Sequence, residues 1–383
     1  MTFELGSDAN RSSAMRLVRI ATSRNGRTLM NRRPFSTVSR RSFLACASRA
    51  IVAPMVMKTS GAFADSDIVT LTSTGGSYQE NVTRTVLTPF TEETGIKVNI
   101  VPMPNMAKIK AQLLTGNVEW DVVNLPGTDA QFGSKQGYWE KLDPSMFDLS
   151  DLVVPPTRDV VTAQLYAQGI AWDPEKFGPR QHPANFAEFF DIKAFPGRRA
   201  LRPDGPSTLE TALLGDGVAP KDIYPLDVDR AFKVLGRIKP SIAAWPATTT
   251  QSISLLQTGE VDFSMTYSNR VKATMERGGG KPMAFSLDQT LIFTDQFVVI
   301  KGAPNKANGM KLLAYLVRPE VQARLEEAVG LIPVSMKAGA MLSEAARKWQ
   351  PNLRDPKNLV ISDPYWSDNY EKVQSRFKEW IQT

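Results

Sequence analysis

The chain has 383 residues, 42% hydrophobic and 22% charged, with 46 basic residues against 39 acidic ones. Eleven of the basic and two of the acidic residues precede residue 65, so the rest of the chain carries 35 against 37 and sits near −2. A basic nucleic-acid-binding face is therefore not expected, and because the one cysteine, Cys46, lies in the basic segment, the rest of the chain has no disulfide, thiolate metal site or cysteine nucleophile.

In chain order, the first element is an export signal over residues 1–64. Ser39-Arg40-Arg41-Ser42-Phe43-Leu44 has the form of a twin-arginine signal; a weakly apolar stretch runs from Leu44 to Met57, and Ala62-Phe63-Ala64 offers a small-residue cleavage site. Cleavage is expected after Ala64, delivering the chain to the periplasm, with a Sec route as the alternative and translation starting at Met15 or Met30. No apolar run approaches the ~18 residues that span a bilayer, so no spanning helix is expected.

A strand is predicted at Ile68-Val69-Thr70-Leu71-Thr72, then a Gly75-Gly76-Ser77 turn and a helix with Val82, Val86, Leu87 and Phe90 on one stripe. Gly95 ends that helix. A second strand follows at residues 96–101, a helix marked by Ile109, Leu113 and Leu114, and a third strand at Asp121-Val122-Val123-Asn124-Leu125. This alternation implies a mostly parallel sheet covered on both faces. It breaks at residues 168–173 and again at residues 293–300, where the chain is expected to cross between two lobes; about 319 residues exceed what one hydrophobic core usually covers. The expected division is residues 65–170 in the first lobe, 171–295 in the second, and 296–383 returning to the first as C-terminal helices.

Four blocks carry a family resemblance: residues 89–98 (Pro89-Phe90-Thr91-Glu92-Glu93-Thr94-Gly95 onward), Trp120-Asp121-Val122-Val123 with Leu142-Asp143-Pro144, Thr258-Gly259-Glu260-Val261-Asp262, and Leu316-Val317-Arg318-Pro319-Glu320-Val321. In these the chain resembles the extracellular solute-binding proteins of the spermidine/putrescine type. The resemblance implies the two-lobed α/β type II periplasmic-binding fold, with a ligand cleft between lobes joined by crossover strands. It also implies the substrate-binding role in an ABC import system, with a small-molecule ligand, a membrane permease as partner and no catalysis.

The family holds alkyl amines between aromatic rings and fixes the ammonium with carboxylates. Carried over by position, this points to Asp295 and Phe293 in Phe293-Thr294-Asp295, to Asp204, to Tyr267 and to Tyr78. Ser207 stands where polyamine binders have a second acid, and Leu331 where they have Tyr, which argues for a ligand shorter or less cationic than spermidine. Two helix starts favour an anion instead: Gly76 and Ser77 after the first strand, and Thr249 with Thr250 ahead of Ile253. The solute is thus expected to be amine-bearing and polyamine-like, with a zwitterionic or anionic solute (an amino acid derivative or a phosphonate) or thiamine as alternatives. Each residue also has a plainer reading: Asp204 as a turn acid, Asp295 as an ion-pair partner, Tyr267 as core, Thr249 and Thr250 as caps, Gly76 as a tight turn.

A secreted hydrolase is the competitor. His182 is the sole histidine, in a loop-like Arg180-Gln181-His182-Pro183, which makes a His/Cys zinc site implausible, and Gly278-Gly279-Gly280-Lys281 lacks the Ser/Thr of a phosphate loop because Pro282 follows. That tract reads as a flexible connection. Paired carboxylates for glycoside hydrolysis are the one catalytic arrangement left open. No cofactor and no metal are expected, and the chain is expected to act as a monomer.

Overall fold

The structure, a computed structural model, describes residues 67–102, 105–276 and 278–383. The expected export signal, with its arginine pair and its Ala64 cleavage site, lies outside the described residues.

Two long strands, Val161–Trp172 and Leu291–Val299, run antiparallel side by side and belong to both halves of the sheet. On one side, Leu291–Val299 pairs with Val122–Pro126, followed outward by Ile68–Ser73 and Lys97–Pro102, the last three mutually parallel. On the other, Val161–Trp172 pairs with Phe263–Tyr267, followed by Arg199–Ala200 and Ile242–Ala244, again parallel to one another. A bulge at Ala163 shifts the register: Thr162 lies opposite Gln296 and Gln164 opposite Asp295. Strands that cross between lobes must serve two cores, which explains why both are apolar along most of their length.

The first lobe's main core joins Val69, Leu71, Val122 and Phe297 to the helices Lys306–Leu316 and Pro319–Val329 and to the helical run that starts at Gly76. In that run Val82, Val86, Leu87 and Phe90 are all buried, as their spacing predicts, and Gly95 closes it at φ +75°. Its middle, Thr83–Leu87, is a π-turn in which the Thr85 hydroxyl donates to Asn81 O at 2.8 Å. The opposite face of this sheet packs on Met106–Thr115 and Gly127–Gln136 through Ile109, Val123, Leu125 and Trp139. Leu114, predicted on the buried stripe, is 87% exposed. It stands five residues after Ile109, about 140° round the helix from it.

The second lobe is centred on Ile170, Phe186, Phe189, Leu201, Leu209, Phe263 and Met265. The C-terminal helix departs from expectation here. Residues 296–383 were all expected on the first lobe, yet Trp366, Val373 and Phe377 of Asp363–Gln382 enter the second core. Their spacing of seven and four gives the helix one aromatic stripe, and Phe377 stacks with Trp380 and Phe232 at interplanar angles of 9°. The other side of the same helix touches the first lobe, where Lys135 of Gly127–Gln136 pairs with Asp368 and donates to the Ser367 hydroxyl at 2.7 Å.

The glycine tract at residues 278–280 is no loose connection: the Gln257 amide donates to Gly279 O and to Lys281 O, both at 2.8 Å, and Lys281 pairs with Asp173 at 2.5 Å. Gly133 is fixed by packing, since a Cβ there would fall 2.0 Å from the Trp139 ring, whose indole N–H is held at 2.8 Å by Ala130 O. Gly133→Ala should therefore cost about 2 kcal/mol by overpacking, read as a lower urea midpoint with an unchanged slope.

Candidate functional site

A cavity of about 690 Å³ lies between the lobes, within the range typical of small-molecule sites. Its floor is aromatic. Tyr166 and Phe293 face each other across the two crossing strands and stack with centroids 5.3 Å apart and planes 8° apart, while Tyr267, at the end of its strand, stands edge-on to Tyr166 at 5.3 Å.

The first-lobe wall is the start of Gly127–Gln136, with Lys110 and Phe132 beside it. No side-chain cap hydrogen bond closes the start of this helix. Gly127 is dictated by the neighbours: a Cβ there would lie 2.1 Å from Asp363 Oδ2 and 2.3 Å from Thr294 Oγ1. Burial raises the Asp129 carboxyl, with the Lys110 charge opposing.

The second-lobe wall is the segment that follows Arg199–Ala200 and runs into the non-helical start of Gly205–Gly215, bearing Arg202, Asp204 and Ser207. Arg202 Nη2 donates to Asp204 Oδ2 at 3.2 Å, whereas Nη1 is buried without a partner. Ser207 holds φ +77° and ψ −51°, a conformation that costs a residue with a side chain on the order of 1 to 3 kcal/mol. The cavity is completed by the start of the last helix. Asp363 there accepts from the Thr294 hydroxyl at 2.5 Å and from the Gln296 amide at 3.3 Å, and burial raises its carboxyl to about 6.

Asp295, two residues along the strand from Phe293 and opposite Gln164, lies beside the cavity and does not line it. Burial raises Asp295 to about 7, partly offset by a hydrogen bond from the Asn124 side chain. Beside it, the Tyr78 hydroxyl donates to Gln164 Oε1 at 2.6 Å and the Gln164 amide donates to Glu326 Oε1 at 3.2 Å. Burial pushes Glu326 up to about 8, opposed by the Gln164 hydrogen bond and slightly reinforced by the Asp295 charge.

Of the residues singled out in the sequence, Asp204, Ser207, Tyr267 and Phe293 thus come together on the cavity wall, and Asp295 and Tyr78 meet beside it. Gly75 and Gly76, at φ +81° and +62°, turn the chain from strand into helix and line no part of the cavity. Ser77 opens the same helix, and its side chain lies outside the described residues. Thr249 and Thr250 begin Thr249–Gln257 away from the cavity, and the cap is Thr248, whose hydroxyl accepts from Gln251 N at 3.1 Å. His182 stacks on Trp172 with centroids 3.6 Å apart. Arg202, Tyr166, Gly127 and Asp363 were missed. Only Arg202 carried a signal, as a charge two residues past the end of the strand Arg199–Ala200.

Residues 85–352 match the family of bacterial extracellular solute-binding proteins. The gamma-aminobutyric acid-binding protein of Pseudomonas aeruginosa is 31% identical over 329 residues, which is 83% of this chain and 92% of that protein. A GABA receptor of solved structure superposes with a TM-score of 0.75 at 30% identity, over 82% of this chain and 97% of the other. The spermidine/putrescine-binding periplasmic protein of Escherichia coli K12 is 22% identical over 322 residues, 80% of this chain and 89% of that one. Two lobes, a cavity across the strands that join them and relatives sharing nearly their whole length place the chain among the bacterial extracellular solute-binding proteins, which capture a small molecule for the permease of an ABC importer.

Proposed function

We propose that this chain binds a short solute with an amine at one end and a carboxylate at the other, of which 4-aminobutyrate is the reference compound. The observation that carries the reading is Arg202 Nη1, a charged donor on the cavity wall that is buried without a partner. Leaving such a donor unpaired is costly, and a solute carboxylate would satisfy it. The amine end suits the Tyr166 and Phe293 rings, with Asp295 two residues along the strand from Phe293; an ammonium there would favour the ionised form of Asp295. The relatives named for GABA agree with this polarity.

A diamine is the second reading, favoured by Asp129, Asp204 and Asp363 around the same cavity. Against it, Arg202 would repel a second ammonium. Binding here is capture without turnover, carried out by a monomer in the periplasm after export by the twin-arginine segment and cleavage at Ala64.

Calorimetric titration of the exported chain separates the readings. 4-Aminobutyrate should bind at least tenfold tighter than putrescine, succinate should give no heat, and the bound compound should be recovered unchanged. Putrescine binding more tightly would transfer the assignment to the diamine, and silence with all three would end it.

A further inference from the structure

The loop carrying Arg202, Asp204 and Ser207 has one local tie, the Thr208 hydroxyl donating to Arg202 O at 2.9 Å. Pro206 is extended at ψ 134° and Ser207 sits at φ +77°, ψ −51°, a strained γ-turn-like conformation that further contacts must hold. The Ser207 N–H donates to Glu210 Oε2 at 2.9 Å. Glu210 is fully buried and lines no part of the cavity. Its other oxygen accepts from Trp366 Nε1 at 2.6 Å and from the Tyr224 hydroxyl at 2.7 Å, and the Tyr224 oxygen in turn accepts from Ser362 N at 3.1 Å.

A second grip lies beside the first. Gly205 N–H donates to Gln374 Oε1 at 2.7 Å, and the Gln374 amide donates to Pro203 O at 3.1 Å. The last helix therefore holds the loop on both sides of Asp204. Among the described residues Glu210 forms no ion pair: Oε2 accepts from the cavity loop, and Oε1 from Tyr224 and the last helix.

We infer that Glu210 is a positioning residue for solute capture: with one oxygen on the Ser207 N–H and the other on Trp366 and Tyr224, it fixes the cavity loop to the last helix and keeps Arg202 in register with the floor. The inference rests on the cavity being the solute site. Glutamine separates this role from mere packing. It keeps one acceptor for Trp366 and Tyr224 but sets an amide N–H2 against the Ser207 N–H, so only the loop's tether is lost. Glycine at position 207 would then relieve the variant, because glycine adopts positive φ without help.

The test uses the full chain as wild type, Glu210→Gln, Ser207→Gly and the double variant. Each is titrated with 4-aminobutyrate, melted, and followed without ligand by hydrogen exchange over residues 203–208. Glu210→Gln should bind at least tenfold more weakly while melting within a few degrees of wild type, Ser207→Gly alone sets the reference for losing the wall hydroxyl, and the double variant should recover at least threefold over Glu210→Gln. Affinity within twofold of wild type in Glu210→Gln, or no recovery in the double variant, would overturn the inference. If wild type itself ignores 4-aminobutyrate, the proposed function falls and exchange decides: tenfold faster exchange in Glu210→Gln supports the tether, and unchanged exchange removes it. Should Glu210→Gln fail to fold, Trp366→Phe takes its place, with weaker binding expected and unchanged binding overturning the inference.

Discussion

Arg202→Gln is expected to weaken 4-aminobutyrate binding by roughly 100-fold or more, about 3 kcal/mol, with little change in melting temperature. The asymmetry follows from the free protein. Arg202 Nη1 has no partner there, so the substitution relieves one buried unpaired donor and gives up only the Nη2 pair with the exposed Asp204 carboxylate, a contact of small worth. In the complex the same atom would meet the solute carboxylate, and the whole interaction is lost. Arg202→Lys should fall between the two, because an ammonium cannot reproduce the planar fork that meets both carboxylate oxygens. Titration of the three proteins checks this, and equal affinities would remove Arg202 from the site.

The second large effect is on stability. Asp363, Asp295, Glu210 and Glu326 are raised to about 6, 7, 7 and 8, each mainly by burial. Unfolded carboxyls titrate near 4. The folded chain therefore holds these protons more tightly than the unfolded one, and the resulting stabilisation is full below about pH 4 and is lost as pH rises through 6 to 8. The acids lowered by ion pairs and hydrogen bonds, such as Asp216 and Glu140, act in the opposite sense but only toward acid pH, so they are flat across this window. The melting temperature should fall by about 5 °C or more between pH 5.5 and pH 8.5. Glu326→Gln should be nearly neutral at pH 5.5 and stabilising at pH 8.5, since a glutamine oxygen can still accept from Gln164 without an ionisation to suppress. A flat melting profile from pH 5.5 to 8.5 would contradict this account.

Much of the scaffold was legible because its rules are local. The buried stripe from Val82 to Phe90 and the apolar crossing strands follow from periodicity alone. Site residues that follow a strand end, such as Asp204 and Tyr267, were reachable by the same logic, since strand ends face the crevice. What escaped notice depends on register and on distant packing. Tyr166 becomes a floor residue only because it falls opposite Phe293, and Asp363 reaches Thr294 across 69 residues of chain. The last helix misled because its aromatic stripe says that it must be buried without saying against which lobe. Tyr78 was expected at the solute; its hydroxyl donates to Gln164, a residue that the bulge at Ala163 brings opposite Asp295.

The two crossing strands share one unbroken ladder from Val161 to Gln168, apart from that bulge. A rotation of one lobe against the other there can be spread over many residues as a slight change of strand twist, with every rung left in place. Such a joint works as a torsion bar. Deflecting it need break no rung, so the balance between open and shut is left to the contacts across the cavity, the tie from Lys135 to Asp368 and Ser367 among them, where a ligand of modest differential affinity can tip it. When the solute leaves, the bar relaxes to its resting angle with nothing to rebuild, and the receptor is ready to load again.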